Sequence, residues 1–162
     1  MESSDSAEYF DNLETPKERW RRWYAVYHPH PMTVHFPIAL HYFSGFADFL
    51  FLLHPSGGYE TAVFLSFLIA TVMGLVALIS GVLSWWVNYS LVRSKVFMIK
   101  LYGALFTLLV GFVPIIQRLL DPMVAYDRGA GGMLYHGVIF LTVISVSIVG
   151  YYGGKITWRN KK

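Results

Sequence analysis

Four long hydrophobic stretches separated by short, turn-rich joints organise this chain. They run from Met32 to Leu53, Thr61 to Val87, Val96 to Ile116 and Met133 to Tyr152. The joints are His54-Pro55-Ser56-Gly57-Gly58, then Asn88 to Lys95, then Gln117 to Gly132 with its Asp121-Pro122 and Gly131-Gly132 pairs. A helix crossing the hydrocarbon core of a bilayer needs roughly 20 mostly apolar residues, and each stretch meets that requirement. Soluble cores rarely use apolar runs of this length. The pattern predicts an all-α fold, a four-helix transmembrane bundle, without internal repeats or low-complexity tracts.

The segment before the first span is polar. Met1 to Glu14 is acidic and lacks the apolar core of a signal peptide, so residues 1–14 read as a disordered acidic tail. A helix start follows. Thr15 and Glu18 have the spacing of a capping box, and Pro16 occupies the first helical position. Trp20, Trp23, Tyr24 and Tyr27 then share one helical face, with Arg19, Arg21 and Arg22 beside it. Aromatic and arginine side chains are the usual interfacial anchors, so residues 15–30 are expected to form a short amphipathic helix in the membrane interface. A soluble docking helix for a partner subunit is the other reading. The transmembrane domain then spans residues 31–155, and residues 156–162 form a basic tail.

Composition sharpens this picture. Of 162 residues, 55% are hydrophobic and 14% charged, against about 25% charged in a soluble domain. The absence of cysteine excludes disulfides, thiolate-held iron–sulfur clusters, covalently attached c-type haem and Cys-ligated copper or zinc. A net charge of +3 is modest, and its basic residues gather at membrane borders, so no nucleic-acid partner is expected. Lys17, Arg19, Arg21, Arg22, Arg93, Lys95, Lys155, Arg159, Lys161 and Lys162 fall on the side that carries both termini, here called side A. Side B has only Arg118 and Arg128. The positive-inside rule makes side A cytoplasmic. Asn88-Tyr89-Ser90 matches a glycosylation acceptor by spacing, but it lies on side A and reads as a chance match.

Ionisable residues within spans are costly and usually face a bundle interior. Here they are His35, His41, Asp48, Lys100 and His136. His41, Gly45 and Asp48 share a face of the first span, with His35 about 120° away on the Ala39 and Tyr42 stripe. Small or polar stripes follow in the other spans. They are Ala70, Gly74, Ala77, Gly81, Ser84 and Asn88, then Lys100, Ala104, Thr107, Gly111 and Pro114, then His136, Phe140, Val143, Ser147, Gly150 and Gly154. Such stripes let helix backbones approach closely.

Depth at 1.5 Å per residue sorts the polar groups into two layers. The layer near side A holds His35, His41, Lys100, Trp85 and Asn88, and the layer near side B holds Asp48 and His136, with His54 in the adjoining loop. Asp48 and His136 are expected to form a structural polar pair joining the first and fourth spans. Lys100 is expected to snorkel toward side A, and His28 and His30 to lie outside the span. A haem b held by two histidines needs them on different helices at one depth. His35 and His136 are on the order of 20 Å apart on this count, and His35 and His41 share a helix. The pattern permits a haem, with His41 or His35 and Lys100 near side A, and does not require one.

Catalytic signatures are absent. The chain has no phosphate loop, nucleophile elbow or His-Glu-x-x-His motif. The segment His30-Pro31-Met32-Thr33-Val34-His35-Phe36-Pro37-Ile38-Ala39-Leu40 resembles the opening of a bacterial family of uncharacterised four-helix membrane proteins. Gly81-Val82-Leu83-Ser84-Trp85 resembles that family's Gly-x-x-Asp-Trp, and Gly131-Gly132-Met133-Leu134-Tyr135-His136-Gly137 its Gly-Gly-x-Leu…His-Gly start of the fourth helix. Because some relatives are fused to cytochrome-like domains, the resemblance implies a redox membrane setting, with His35 and His136 as family positions. Ser84 stands where the family usually has aspartate, and Lys100 lies in a region where relatives often have histidine.

The leading expectation is a small integral subunit of a bacterial membrane electron-transfer complex, of respiratory or photosynthetic type. It would sit in the inner membrane among other subunits, bind haem b or contact quinone through His35, His41, Lys100 and His136, and be at most a redox subunit. The alternative is a purely structural or assembly subunit without cofactor. A proton or ion channel is a third reading, opposed by the apolar stretch between the two layers.

Overall fold

The computed structural model describes residues 15–27 and 29–159, with side chains given for 15–27 and 30–155. The expected acidic tail, His28 and the last three residues lie outside the described residues. The described residues form five α-helices: α1 (Pro16–Tyr27), α2 (Pro29–Leu53), α3 (Gly57–Tyr89), α4 (Lys95–Leu120) and α5 (Ala130–Arg159). A single 3-10 turn, Val124–Tyr126, lies between α4 and α5. Helices α2 to α5 are each long and apolar enough to cross a membrane.

The helices overrun the apolar stretches because local capping, not hydropathy, sets their ends. Ser56 caps α3 by accepting from the Tyr59 amide, and Ser94 caps α4 by accepting from the Phe97 amide. The loop expected from Gln117 to Gly132 therefore shrinks, since α4 continues to Leu120 and α5 begins at Ala130. Residues 156–159, expected to belong to a tail, continue α5. Pro37 and Pro114 sit inside α2 and α4 without ending them, as membrane helices tolerate when neighbours re-satisfy the backbone.

Each spanning helix packs on the next, and α5 closes the ring against α2. The bundle thus runs up-down-up-down, with the start of α2 and the end of α5 at one end, end A. Its outer surface is apolar: Phe43, Phe46 and Phe49 on α2, Leu65, Val72 and Ile79 on α3, and Tyr102, Leu109 and Leu119 on α4 are all exposed. The interior around Phe51, Val63, Phe67, Tyr135 and Ile139 is a close-packed apolar cluster. A soluble protein would reverse this ratio of exposed apolar surface to core, whereas lipid tails cover such a surface at no cost.

Helix α1 lies across end A. The Thr15 amide and hydroxyl both donate to the Glu18 carboxylate, at 2.8 and 2.9 Å, in the capping arrangement expected. Those bonds hold the Glu18 carboxyl below its ordinary range. Tyr24 is buried beside Ser84, and the Lys17 ammonium donates to Ser90 Oγ at 2.9 Å. Trp20, Trp23 and Tyr27 remain exposed, a free aromatic face suited to an interface.

Helices α2 and α5 are in tight contact at Gly45, where an added Cβ would lie 2.7 Å from Val143 Cγ2. Gly45→Ala is therefore expected to cost about 1–3 kcal/mol by overpacking. Adding Val143→Ala should recover most of that loss, because the clash is with a side chain that the second change removes. Unfolding midpoints of the two single variants and the double variant in mixed micelles check this, and simple additivity would refute the contact.

Candidate polar site at end B

Asp48 and His136 carry the site. Asp48 lies on the inner face of α2 and His136 in the second turn of α5. His136 Nδ1 is 2.7 Å from Asp48 Oδ1, and its Nε2 is 3.1 Å from the Ala125 carbonyl oxygen. Asp48 is fully buried and His136 nearly so, at 0% and 9% exposure. The ring of Phe51 stacks on His136 with centroids 5.7 Å apart.

The donor count of this pair is determined by its acceptors. A carbonyl oxygen can only accept, so Nε2 carries a proton. At Nδ1, either the imidazole donates to a carboxylate or a carboxylic acid donates to the imidazole. Both arrangements place two protons on the pair and leave it with no net charge, which suits a low-dielectric interior. Neither ring nitrogen is left with a free lone pair for a metal in this arrangement.

A second tie closes the same end. Arg118 in the last turn of α4 donates from Nε to Glu60 Oε1 in the first turn of α3. The guanidinium also lies 5.4 Å from the Phe64 ring centroid. Tyr135 is buried and packs edge-on against His136, with centroids 5.2 Å apart. Asp127 caps α5, its carboxylate accepting from the Gly129 amide at 2.8 Å and the Gly132 amide at 3.2 Å. Gln117 Nε2 donates to the Gly131 carbonyl at 3.2 Å.

The other candidate residues are scattered. His35 is exposed on the outer face of α2, because the buried face of that helix runs through Pro37, His41, Ser44 and Asp48. His41, on that buried face, lies about 120° around the helix from His35. His41 is 2% exposed and packs edge-on against Phe67, with centroids 5.2 Å apart. Lys100 belongs to end A, with Nζ 3.8 Å from the position a Cβ on Gly153 would take. Gly111 faces Thr71 across α3 and α4, and eleven residues from that contact toward end A bring Lys100 level with Val82, next to the Gly81 that faces His30.

The single layer expected for His35, His41 and Lys100 is thus corrected. His41 lies eleven residues beyond His30, about 16 Å along the helix axis, whereas Lys100 sits at the His30 level. The reason is that α2 begins at Pro29, so the start of the span lies further toward end A than hydropathy indicated. His54, the other histidine considered near side B, is exposed beyond the end of α2. Among the described residues, no three His, Asp or Glu side chains are grouped to hold a metal ion.

Several interior ties escaped the sequence reading. His30, expected outside the span, lies within α2 and its Nδ1 is 3.1 Å from Ser80 Oγ. Thr33 Oγ1 is 2.8 Å from the same Ser80 oxygen. A Cβ on Gly81 would come within 3.0 Å of the His30 ring. The opening motif and the Gly81–Trp85 motif therefore meet, the glycine leaving room for the histidine. Trp85 Nε1 donates to the Val92 carbonyl at 2.9 Å and its ring stacks on Phe97, holding the α3–α4 loop. Thr107–Ser145 at 2.6 Å and Tyr42–Ser147 at 2.6 Å join α4 and α2 to α5. The usable signal for Glu60 and Arg118 was their shared depth near side B with opposite charge.

A search of the curated proteins and a search of the solved structures each found no match to this chain. A family model described as "Predicted membrane protein (DUF2231)" matches residues 28–161. That span includes α2 to α5 and every tie described above between spanning helices, so this chain belongs to the DUF2231 family of membrane proteins.

Proposed function

We propose that this protein is a small, structural integral-membrane subunit of a larger assembly in a bacterial inner membrane, with both termini cytoplasmic. The observation that carries the reading is how the interior polar groups are used. His136, Asp48, Glu60, Arg118, Thr107, Ser145, Ser80 and His30 are engaged in ties that hold helix to helix or helix to loop. Meanwhile the motif histidine His35 faces out of the bundle, where a neighbouring subunit would meet it. The cluster of Lys and Arg at end A supports the cytoplasmic placement.

The electron-transfer reading, with haem b or quinone, stands second. Inside one chain its candidate residues do not converge. His35 faces outward, His41 packs on Phe67, Lys100 sits by Gly153, and both nitrogens of His136 are engaged. Such a group would need His35 together with a ligand from a neighbouring chain.

The test is purification in mild detergent from cells with ample haem. A dithionite-reduced minus oxidised spectrum, pyridine haemochrome quantitation and native mass spectrometry are recorded on the same sample. The expected result is no b-type α-band and a particle heavier than one chain. Near-stoichiometric haem, or a lone monomer, overturns the structural-subunit reading.

A further inference from the structure

Helix α3 has 33 residues, about 50 Å along its axis, against about 30 Å for the hydrocarbon core of a bilayer. Shared between the two ends, the excess is about 10 Å at each. The last two turns of α3 therefore stand in the headgroup layer at end A. Helix α1 is held on those turns. Tyr24 is buried beside Ser84, and the Lys17 ammonium donates to Ser90 Oγ at 2.9 Å. What surrounds α1 is thus the headgroup layer.

The surface turned to that layer is both aromatic and basic. Trp20 and Trp23 meet edge to face with centroids 5.6 Å apart, and Tyr27 lies 5.4 Å from Trp23. All three are exposed, as is Trp86 on α3. Arg19 and Arg21 are exposed on the same helix. The Lys17–Ser90 bond brings a second basic segment to them. Arg93 is three residues beyond Ser90, at most about 11 Å of chain, and Lys95 opens α4; both are exposed. Among the described residues of α1 and the α3–α4 loop, Glu18 is the sole acid, and its carboxylate already accepts from the Thr15 amide and hydroxyl.

We propose that α1 and the α3–α4 loop together bind anionic phospholipid, a diacyl lipid whose phosphate carries no balancing amine. Guanidinium groups donate paired hydrogen bonds to phosphate oxygens, while the Trp and Tyr rings settle at the boundary of headgroup and acyl chain. A zwitterionic lipid fits less well, because its own ammonium meets the same basic side chains. Lipid is the occupant, rather than a protein, because the surface combines an excess of positive charge with headgroup depth. The tie to α3 holds α1 at that depth, so lipid meets a preformed surface. This inference does not rest on the structural-subunit reading.

The experiment uses the full chain in bilayers of phosphatidylcholine and phosphatidylglycerol at one fixed ratio. Either the first or the second lipid carries bromine high in its acyl chains, and quenching of tryptophan emission is compared at equal brominated fraction. Subtracting the signal of Trp20→Phe/Trp23→Phe isolates α1. The expected result is a preference for phosphatidylglycerol of about fivefold or more, the contribution of one basic side chain near an anionic surface, which falls as salt is raised. Arg19→Gln/Arg21→Gln is expected to lower the preference several-fold. Arg19→Lys/Arg21→Lys is expected to keep it, and so is Arg128→Gln at end B. Equal quenching by the two brominated lipids overturns the proposal. So does an α1 signal that neither lipid quenches, since the surface is then covered by protein, and so does a preference that survives Arg19→Gln/Arg21→Gln.

Discussion

Asp48→Ala is expected to destabilise the bundle by about 3 kcal/mol, within the range for removing one partner of a buried pair. The substitution leaves His136 Nδ1 buried and unmet, which costs about 1–3 kcal/mol, and adds a small cavity beside Phe51. Polar ties between membrane helices average only about 0.6 kcal/mol, since a membrane-bound unfolded state finds other partners. The larger figure applies here because His136 joins α2, the 3-10 turn and α5 at once. Asp48→Asn separates geometry from charge. Its amide can donate to Nδ1 while Nε2–H still donates to Ala125, so the pattern survives with a cost of about 1 kcal/mol or less. Unfolding midpoints by far-UV circular dichroism in mixed micelles measure both variants. Equal losses for alanine and asparagine would show that the pair holds nothing together.

Gly132→Ala is expected to cost about 3 kcal/mol as well, from overpacking plus one weakened hydrogen bond. A Cβ at Gly132 would overlap the Asp127 carbonyl oxygen and lie 3.1 Å from the Val124 carbonyl oxygen. Both obstacles are backbone, so no side-chain rotation relieves them. The turn must move, and with it the Ala125 carbonyl that accepts from His136. Gly137→Ala is the control, since nothing lies within 4 Å of a Cβ there, and it is expected to be neutral or slightly stabilising through helix propensity. Combining Gly132→Ala with Asp48→Ala should cost less than the sum, because both disrupt the same histidine. Full additivity, or a neutral Gly132→Ala, would refute the coupling.

These two sites also show how far residue patterns reach. The resemblance singled out Gly131-Gly132 and His136, and the spacing placed Asp48 and His136 near side B. The physical cause of the double glycine became visible only when the Asp127 carbonyl was found against it. Likewise Gly81 read as one member of a small-residue stripe, and its particular purpose is to admit His30. Gly74, from the same stripe, has nothing within 4 Å of an added Cβ. A stripe marks a face along which helices can approach, and the neighbour decides which of its members are used.

His35 and His41 illustrate the same limit. Helical periodicity places them about 120° apart on one helix, but periodicity does not say which face is turned inward when both are rich in apolar residues. The packing of α3 and α5 on α2 settles it, burying His41 and Asp48 and leaving His35 outside. In a soluble helix the polar face would have identified itself. In a lipid-facing helix the outer face is as apolar as the core, so that distinction disappears.

By itself, the sequence determined the four spans, their alternation and the capped start of α1 at Thr15. Bilayer thickness demands long apolar runs, and backbone groups inside lipid must bond within their own helix. Both requirements act on contiguous residues and are legible in one dimension. Tertiary structure alone decided the two-proton bonding of His136, the Glu60–Arg118 tie and the separation of His41 from Lys100. Each depends on atoms brought together from different helices, or on the rotation of one helix against its neighbours, and neither is encoded in local spacing.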